Sequence, residues 1–167
     1  MNINWQVAAA ISEVIGAIAV VISLVYLAFQ VRQNTRAIRG STLDAITNHQ
    51  QDELRWSAEM APAWKKVFDG VEDELTFEES WAISEWLHAA FTARQNEYFQ
   101  YRHGLLDREV WQASENIIRG LVGIEWVRKW WQEHGRMDRT EAFSRLVDGI
   151  LEATARDVST ELGNTLK

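Results

Sequence analysis

The longest apolar run in the chain covers residues 14 to 31 and contains no charged side chain. Its 18 residues are mostly isoleucine, valine, leucine and alanine, which is the length and composition of a transmembrane helix. A helix extended back to Trp5 spans about 40 Å, enough for a bilayer with its interfaces. The pattern therefore predicts a membrane helix with its flanks over residues 1–39, and a buried helix of a soluble protein is the alternative.

The charges on either side of this run predict its orientation. Residues 1 to 13 contain no lysine or arginine, so the basic start of a cleavable signal peptide is missing. Arg32, Arg36 and Arg39 follow the run directly, and positive charge favours the cytoplasmic side. We therefore expect a single-pass protein of a bacterial inner membrane, with the N-terminus outside and residues 40–167 in the cytoplasm.

Small side chains form one stripe along the predicted membrane helix. Ser12 and Gly16 are four residues apart, and Ala19 and Ser23 repeat that spacing. Such spacings let helix backbones approach closely in lipid, where no hydrophobic driving force brings helices together. The stripe predicts self-association between identical subunits.

The same stripe also allows a different function. It continues through Tyr26, Gln30 and Gln33, and Glu13 lies at its outer end. In a homo-oligomeric pore these side chains would line the path, with a ring of carboxylates at the mouth as in cation-selective channels. In a closed anchor, Glu13 would instead lie in the outer headgroup region.

Beyond residue 39, apolar positions recur every three or four residues, and no alternating strand pattern is long enough to count. This predicts an all-α fold, in which the membrane helix continues into a cytoplasmic bundle of five or six helices. The first helix is expected to end at Pro62, and a short second helix to end at Phe68. A capping box at Thr76 and Glu79 begins a third helix that ends at Arg102, and Asp107 caps a fourth that runs towards Val122. A fifth helix is expected from Ile124 to His134, and a last helix begins at Asp138 or Thr140.

The composition of the chain excludes some classes of function. The chain of 167 residues has 24 acidic and 17 basic side chains and a net charge of −7, which argues against a nucleic-acid partner. It has no cysteine, so thiolate metal sites and cysteine nucleophiles are excluded. Most of the nine tryptophans should form the core, although Trp130 and Trp131 point about 100° apart on a helix and at least one is expected to stay partly exposed.

Two groups of polar residues carry possible chemistry. Glu85 and His88 form a Glu-x-x-His, but a di-iron bundle needs a second such motif and the chain has none. Arg94, Glu97 and Tyr101 share one helix face and form either a buried ion pair capped by tyrosine or the lining of a ligand pocket. We predict no catalytic residue, metal ligand or cofactor.

Three segments resemble a widespread bacterial group of uncharacterised single-span membrane proteins: IGAIAVVISLVYLAFQVRQNTRAIR, RQNEYFQYRHGLLDREVW and EWVRKWWQEH. The resemblance implies a membrane helix and a helical cytoplasmic domain, and it implies no activity. The function we expect is therefore a membrane-anchored, self-associating interaction or scaffold module with a cytoplasmic protein partner. A homo-oligomeric ion channel is the alternative, and a membrane-tethered metalloenzyme is a third possibility.

Overall fold

The computed structural model describes residues 5–165, and it describes their side chains except those of residue 8 and residues 157–165. This part of the chain is helical, has no strand and contains six α-helices, which confirms the all-α part of the predicted fold class. The helices are α1 (Trp5–Glu59), α2 (Ala61–Phe68), α3 (Phe77–Arg102), α4 (Arg108–Gly123), α5 (Glu125–Trp130) and α6 (Glu141–Thr165). The chain divides into two compact units, Met1–Ser41 and Thr42–Lys167, against a predicted boundary after residue 39.

The first unit is a single apolar helical segment. In its most apolar window of 18 residues no residue is buried. Every large apolar side chain from Val14 to Val31 is more than half exposed.

Local signals set the helix ends in the second unit. α1 ends at Glu59, and Pro62 stands in the first turn of α2, where its missing N–H costs no hydrogen bond. Gly70 and Gly104 follow α2 and α3 with φ of +72° and +70°, a conformation that other residues adopt at a cost. Glycine at these two positions ends each helix sharply.

The capping box at the start of α3 is present as predicted. The Glu79 N–H donates to the Thr76 hydroxyl at 3.2 Å, and the Thr76 N–H donates to the Glu79 carboxylate at 2.8 Å. Lys66 also donates to Glu79 at 2.7 Å. The hydrogen bond from Lys66 to the carboxylate is the main reason why the pKa of Glu79 is lower than usual, and the hydrogen bond from the Thr76 N–H adds to this effect.

Two of the expected caps differ in detail. Asp107 precedes α4, but its side chain makes no capping hydrogen bond, and its backbone carbonyl accepts from Trp111 at 3.1 Å. The carboxylate still places a negative charge at the positive end of the helix. At the start of α6 the cap comes from another helix, because the Gln95 side chain accepts from the Thr140 N–H at 2.8 Å.

The core of the second unit is aromatic and aliphatic. Its largest fully buried side chains include Trp131, Phe91 and Phe143. The Phe91 ring lies 4.8 Å from the Trp131 ring between centroids, and the Trp131 N–H donates to Asp148 at 3.0 Å. The buried indole is therefore both packed and hydrogen-bonded.

The expectation that Trp130 or Trp131 stays partly exposed is wrong, because the two are 5% and 0% exposed. From Trp131 to Gly135 the helix widens into a π-helical turn, which changes the direction of the side chains. A Cβ atom at Gly135 would lie 2.7 Å from a ring carbon of each indole. Glycine therefore lets both rings pack against the backbone of this turn.

Replacing Gly135 with alanine is expected to lower the free energy of unfolding by about 1–3 kcal/mol, because the methyl group overpacks two rigid rings. Urea unfolding followed by tryptophan fluorescence measures this. The matched control is Gly120→Ala in α4, where a Cβ meets open space; it should stabilise by about 0.5–1 kcal/mol. Equal effects of the two substitutions would contradict the packing argument.

Candidate functional sites

A buried ion pair lies on α3. Arg94 and Glu97 are 0% and 2% exposed, and Arg94 Nη2 lies 3.0 Å from Glu97 Oε1. A guanidinium is almost never found fully buried unless it is paired, because removing its charge from water is costly. The sequence places both residues on one face, and the structure turns that face inward.

Two further members of this cluster come from α1. Glu53 is 7% exposed, and both of its carboxylate oxygens lie 3.4 Å from Arg94 Nη2. His49 Nε2 lies 3.1 Å from Glu53 Oε1. Sequence reasoning did not join these residues to Arg94. The available signal was that Ile46, His49 and Glu53 follow one another at helical spacing and the first of them is apolar.

The most buried part of the cluster contains one guanidinium and two carboxyl groups, and a second positive charge is present only if the partly exposed His49 is protonated. Burial raises the pKa of Glu53; the charges of Arg94 and His49 oppose this rise and that of Glu97 adds to it. Burial also raises the pKa of Glu97, again opposed mainly by Arg94. The environment therefore favours retention of a proton between the two acids.

Tyr101 does not cap the ion pair. Its ring stacks on that of Trp111, with centroids 5.8 Å apart and an interplanar angle of 13°. Among the described residues, Arg94 Nε, Arg94 Nη1 and Glu97 Oε2 have no hydrogen-bond partner. The group that sequence spacing put together is thus an Arg94–Glu97–Glu53 cluster, with Tyr101 in the neighbouring aromatic packing.

The raised pKa values predict how stability changes with pH. Between the usual glutamate value of 4.5 and the raised pKa, the folded state binds more protons than the unfolded state. Stability should therefore fall as pH rises from about 4.5 through the raised pKa values of Glu53 and Glu97. Urea unfolding across this pH range measures the slope, and Glu97→Gln should flatten it.

The control for this experiment is Glu79→Gln. Because the pKa of Glu79 is lowered, its contribution to stability is present above the unfolded pKa and is lost as pH falls through the folded pKa. Glu79→Gln should therefore leave the slope above pH 4.5 unchanged and remove part of the rise in stability with pH below that value, whereas Glu97→Gln acts above it. A slope unaffected by Glu97→Gln would contradict a proton held by the cluster.

The stripe on α1 is exposed in the described chain, including Ser12, Glu13 and Gln33. The Ser23 hydroxyl donates to the Ala19 carbonyl at 2.8 Å, and Gln30 Nε2 donates to the Tyr26 hydroxyl at 2.9 Å. A Cβ atom at Gly16 would meet no heavy atom within 4 Å. Ser23, Tyr26 and Gln30 therefore have partners within their own helix.

The Glu85 and His88 pair does not form a compact polar site. Glu85 is exposed, whereas the His88 ring packs edge-on against Trp130 with centroids 4.9 Å apart. The His88 carbonyl accepts from Arg139 at 2.8 Å. Among the side chains that the structure describes, no three from histidine, aspartate or glutamate are grouped to hold a metal ion.

Comparison of the chain with protein-family models, curated proteins and solved structures found no match.

Proposed function

We propose that the chain is a single-span protein of a bacterial inner membrane, with its N-terminus outside. Residues 40–167 form an acidic helical module in the cytoplasm that presents itself to a protein partner. The anchor associates with copies of itself through Ser12, Gly16, Ala19 and Ser23. The proposed partners of the N-terminal helix are thus the lipid bilayer and a second copy of the chain.

The observation that carries the proposal is the uncovered apolar surface of α1. A core helix of a soluble protein would bury these side chains, but no residue of the most apolar window is buried. Soluble monomers rarely expose apolar patches larger than a few hundred Å². The length of the run and the arginines that follow it fit a bilayer with the inner leaflet at Arg32.

Cysteine labelling tests the anchor and its orientation, because the chain has no cysteine of its own. Gln6→Cys and Ser41→Cys place single thiols on opposite sides of the apolar run. A membrane-impermeant maleimide should label the first in intact cells and the second only after permeabilisation. The protein should also stay with the membrane in alkaline carbonate. Reversed labelling would contradict the orientation, and release by carbonate would contradict the anchor.

The internal hydrogen bonds of the stripe support a closed anchor in preference to a conducting pore. Ser23 and Gln30 each donate to a partner one helical turn away on the same helix. Polar side chains bonded in this way need no pore water and can face a neighbouring helix in lipid. We therefore propose self-association first, and conduction through a homo-oligomeric pore is the alternative.

The charge of the second part supports a protein partner. Residues 40–167 carry 14 basic and 23 acidic side chains, a net charge of −9. Such a surface repels anionic lipid headgroups and nucleic acid and attracts basic proteins. We therefore propose that the partner presents a basic surface to the module.

A further inference from the structure

A cleft of about 500 Å³ opens in the second unit beside the first half of α3. One wall comes from α3 and another from α5 with the π-helical turn that follows it. The short 3₁₀ turn Glu72–Glu74 completes the lining. This volume lies in the range of small-molecule sites in proteins.

The cleft is unusually aromatic. Phe77 and Trp81 are 76% and 58% exposed, and their rings stack with centroids 6.1 Å apart. Trp126 and Trp130 of α5 line the same space. Trp130 is held in place, because its N–H donates to the Ser84 hydroxyl at 2.7 Å. Four aromatic rings thus border one cleft, and two of them are left largely exposed by the fold.

The charges at the cleft favour a cation. Three carboxylate residues line it: Glu72, Asp73 and Glu133. Lys129 lies among them, with its ammonium 3.9 Å from Glu72 and 3.2 Å from Glu125. The hydrogen bond from Lys129 to Glu125, followed by the charges of Glu125, Glu72 and Asp73, raises the pKa of Lys129. Glu125, the largest cause, does not line the cleft, but Glu72 and Asp73 do line it, and both act in the direction that favours a positive charge.

We propose that this cleft binds a small organic cation of the quaternary ammonium class. The faces of aromatic rings attract cations placed within about 6 Å of the ring centre, and tryptophan does so best. A quaternary ammonium group has an apolar surface that suits the rings and a charge that suits the carboxylates. The cleft lies wholly in the second unit, so the proposal does not depend on the membrane anchor.

The test is calorimetric titration of the full chain in a maltoside detergent with choline. The neutral isostere 3,3-dimethyl-1-butanol has the same shape without the charge. Choline is expected to bind saturably and the alcohol at least about tenfold more weakly. Equal binding of the two compounds, or no saturable binding of choline, would overturn the proposal.

Variants locate the site. Trp81→Leu removes an exposed ring from the cleft and should weaken choline binding about tenfold. Trp56→Leu is the matched control, because Trp56 is 45% exposed and does not line this cleft. Choline binding should be unchanged in this control, and loss of binding in both variants or in neither would overturn the assignment.

A phosphocholine arm separates the two sources of such a group. The phosphate group of phosphocholine is negatively charged, so the carboxylates that line the cleft should repel it. If choline binds and phosphocholine does not, the site is supported and its ligand is a free cation. Equal binding of both supports the site and assigns it to the headgroup of a lipid.

Discussion

Arg94→Met should destabilise the second unit by about 3–5 kcal/mol, the usual cost of removing one partner from a buried ion pair. The guanidinium is 0% exposed and lies near the carboxyl groups of both Glu97 and Glu53. Without it, the two acids remain buried with no positive charge beside them except the partly exposed His49. Their pKa values, already raised by burial, should rise further, so the loss of stability should be largest at alkaline pH.

Urea unfolding monitored by tryptophan fluorescence measures this effect, since eight of the nine tryptophans lie in the second unit. Arg119→Met is the matched control, because Arg119 pairs with Glu115 at 3.3 Å and is 42% exposed. An exposed pair of this kind contributes about 0–1 kcal/mol. Similar small losses in both variants would contradict the view that Arg94 neutralises buried acids.

A triple variant separates charge from packing. Combining Arg94→Met with Glu53→Gln and Glu97→Gln removes all three charges while keeping similar shapes. Neutral replacements of buried ion groups are often tolerated, so most of the lost stability should return. If the triple variant is as unstable as Arg94→Met, the guanidinium acts through packing and hydrogen bonds instead of charge.

The helix boundaries could be predicted because their signals are local. Pro62, Gly70 and Gly104 each act on the residues beside them, and Thr76 and Glu79 bond across a single turn. These effects need no knowledge of the rest of the fold. The all-helical class and the order of the helices could therefore be predicted from the sequence.

The cluster around Arg94 could be predicted only in part. Arg94 and Glu97 are three residues apart on one helix, so their proximity follows from helical spacing. Glu53 is 41 residues away from Arg94 along the chain, and its contact depends on how α1 and α3 pack. Periodicity predicts which face of a helix is buried, but not which residue of another helix meets it.

The aromatic cleft could not be predicted from the sequence, for a related reason. Phe77 and Trp81 are four residues apart and look like any apolar pair on a core face. Their exposure of 76% and 58% depends on the tertiary packing around α3, which their spacing along the helix does not predict. The burial of both Trp130 and Trp131 was not predicted either, because their rings pack in a π-helical turn against the position where Gly135 carries no side chain.

Gly16→Ile should weaken self-association of the anchor by about tenfold or more. Gly16 stands in the middle of the small-residue stripe, and close backbone approach there accounts for the proposed helix pairing. A β-branched side chain holds the two helices apart and removes the contacts between their backbones. The native mass of the protein in mild detergent, measured by light scattering, should fall from an oligomer to a monomer.

Ala28→Ile is the matched control, since Ala28 lies on the opposite side of the helix from the stripe by the 3.6-residue period. It adds a side chain of the same shape in the same apolar segment, so the parent mass should be kept. An unchanged mass for Gly16→Ile would mean that the small-residue stripe is not the interface between subunits. A monomeric parent protein would exclude both self-association and a homo-oligomeric pore. If the parent has four or more subunits, planar-bilayer conductance decides whether the stripe encloses water, and Glu13→Gln should then reduce cation selectivity.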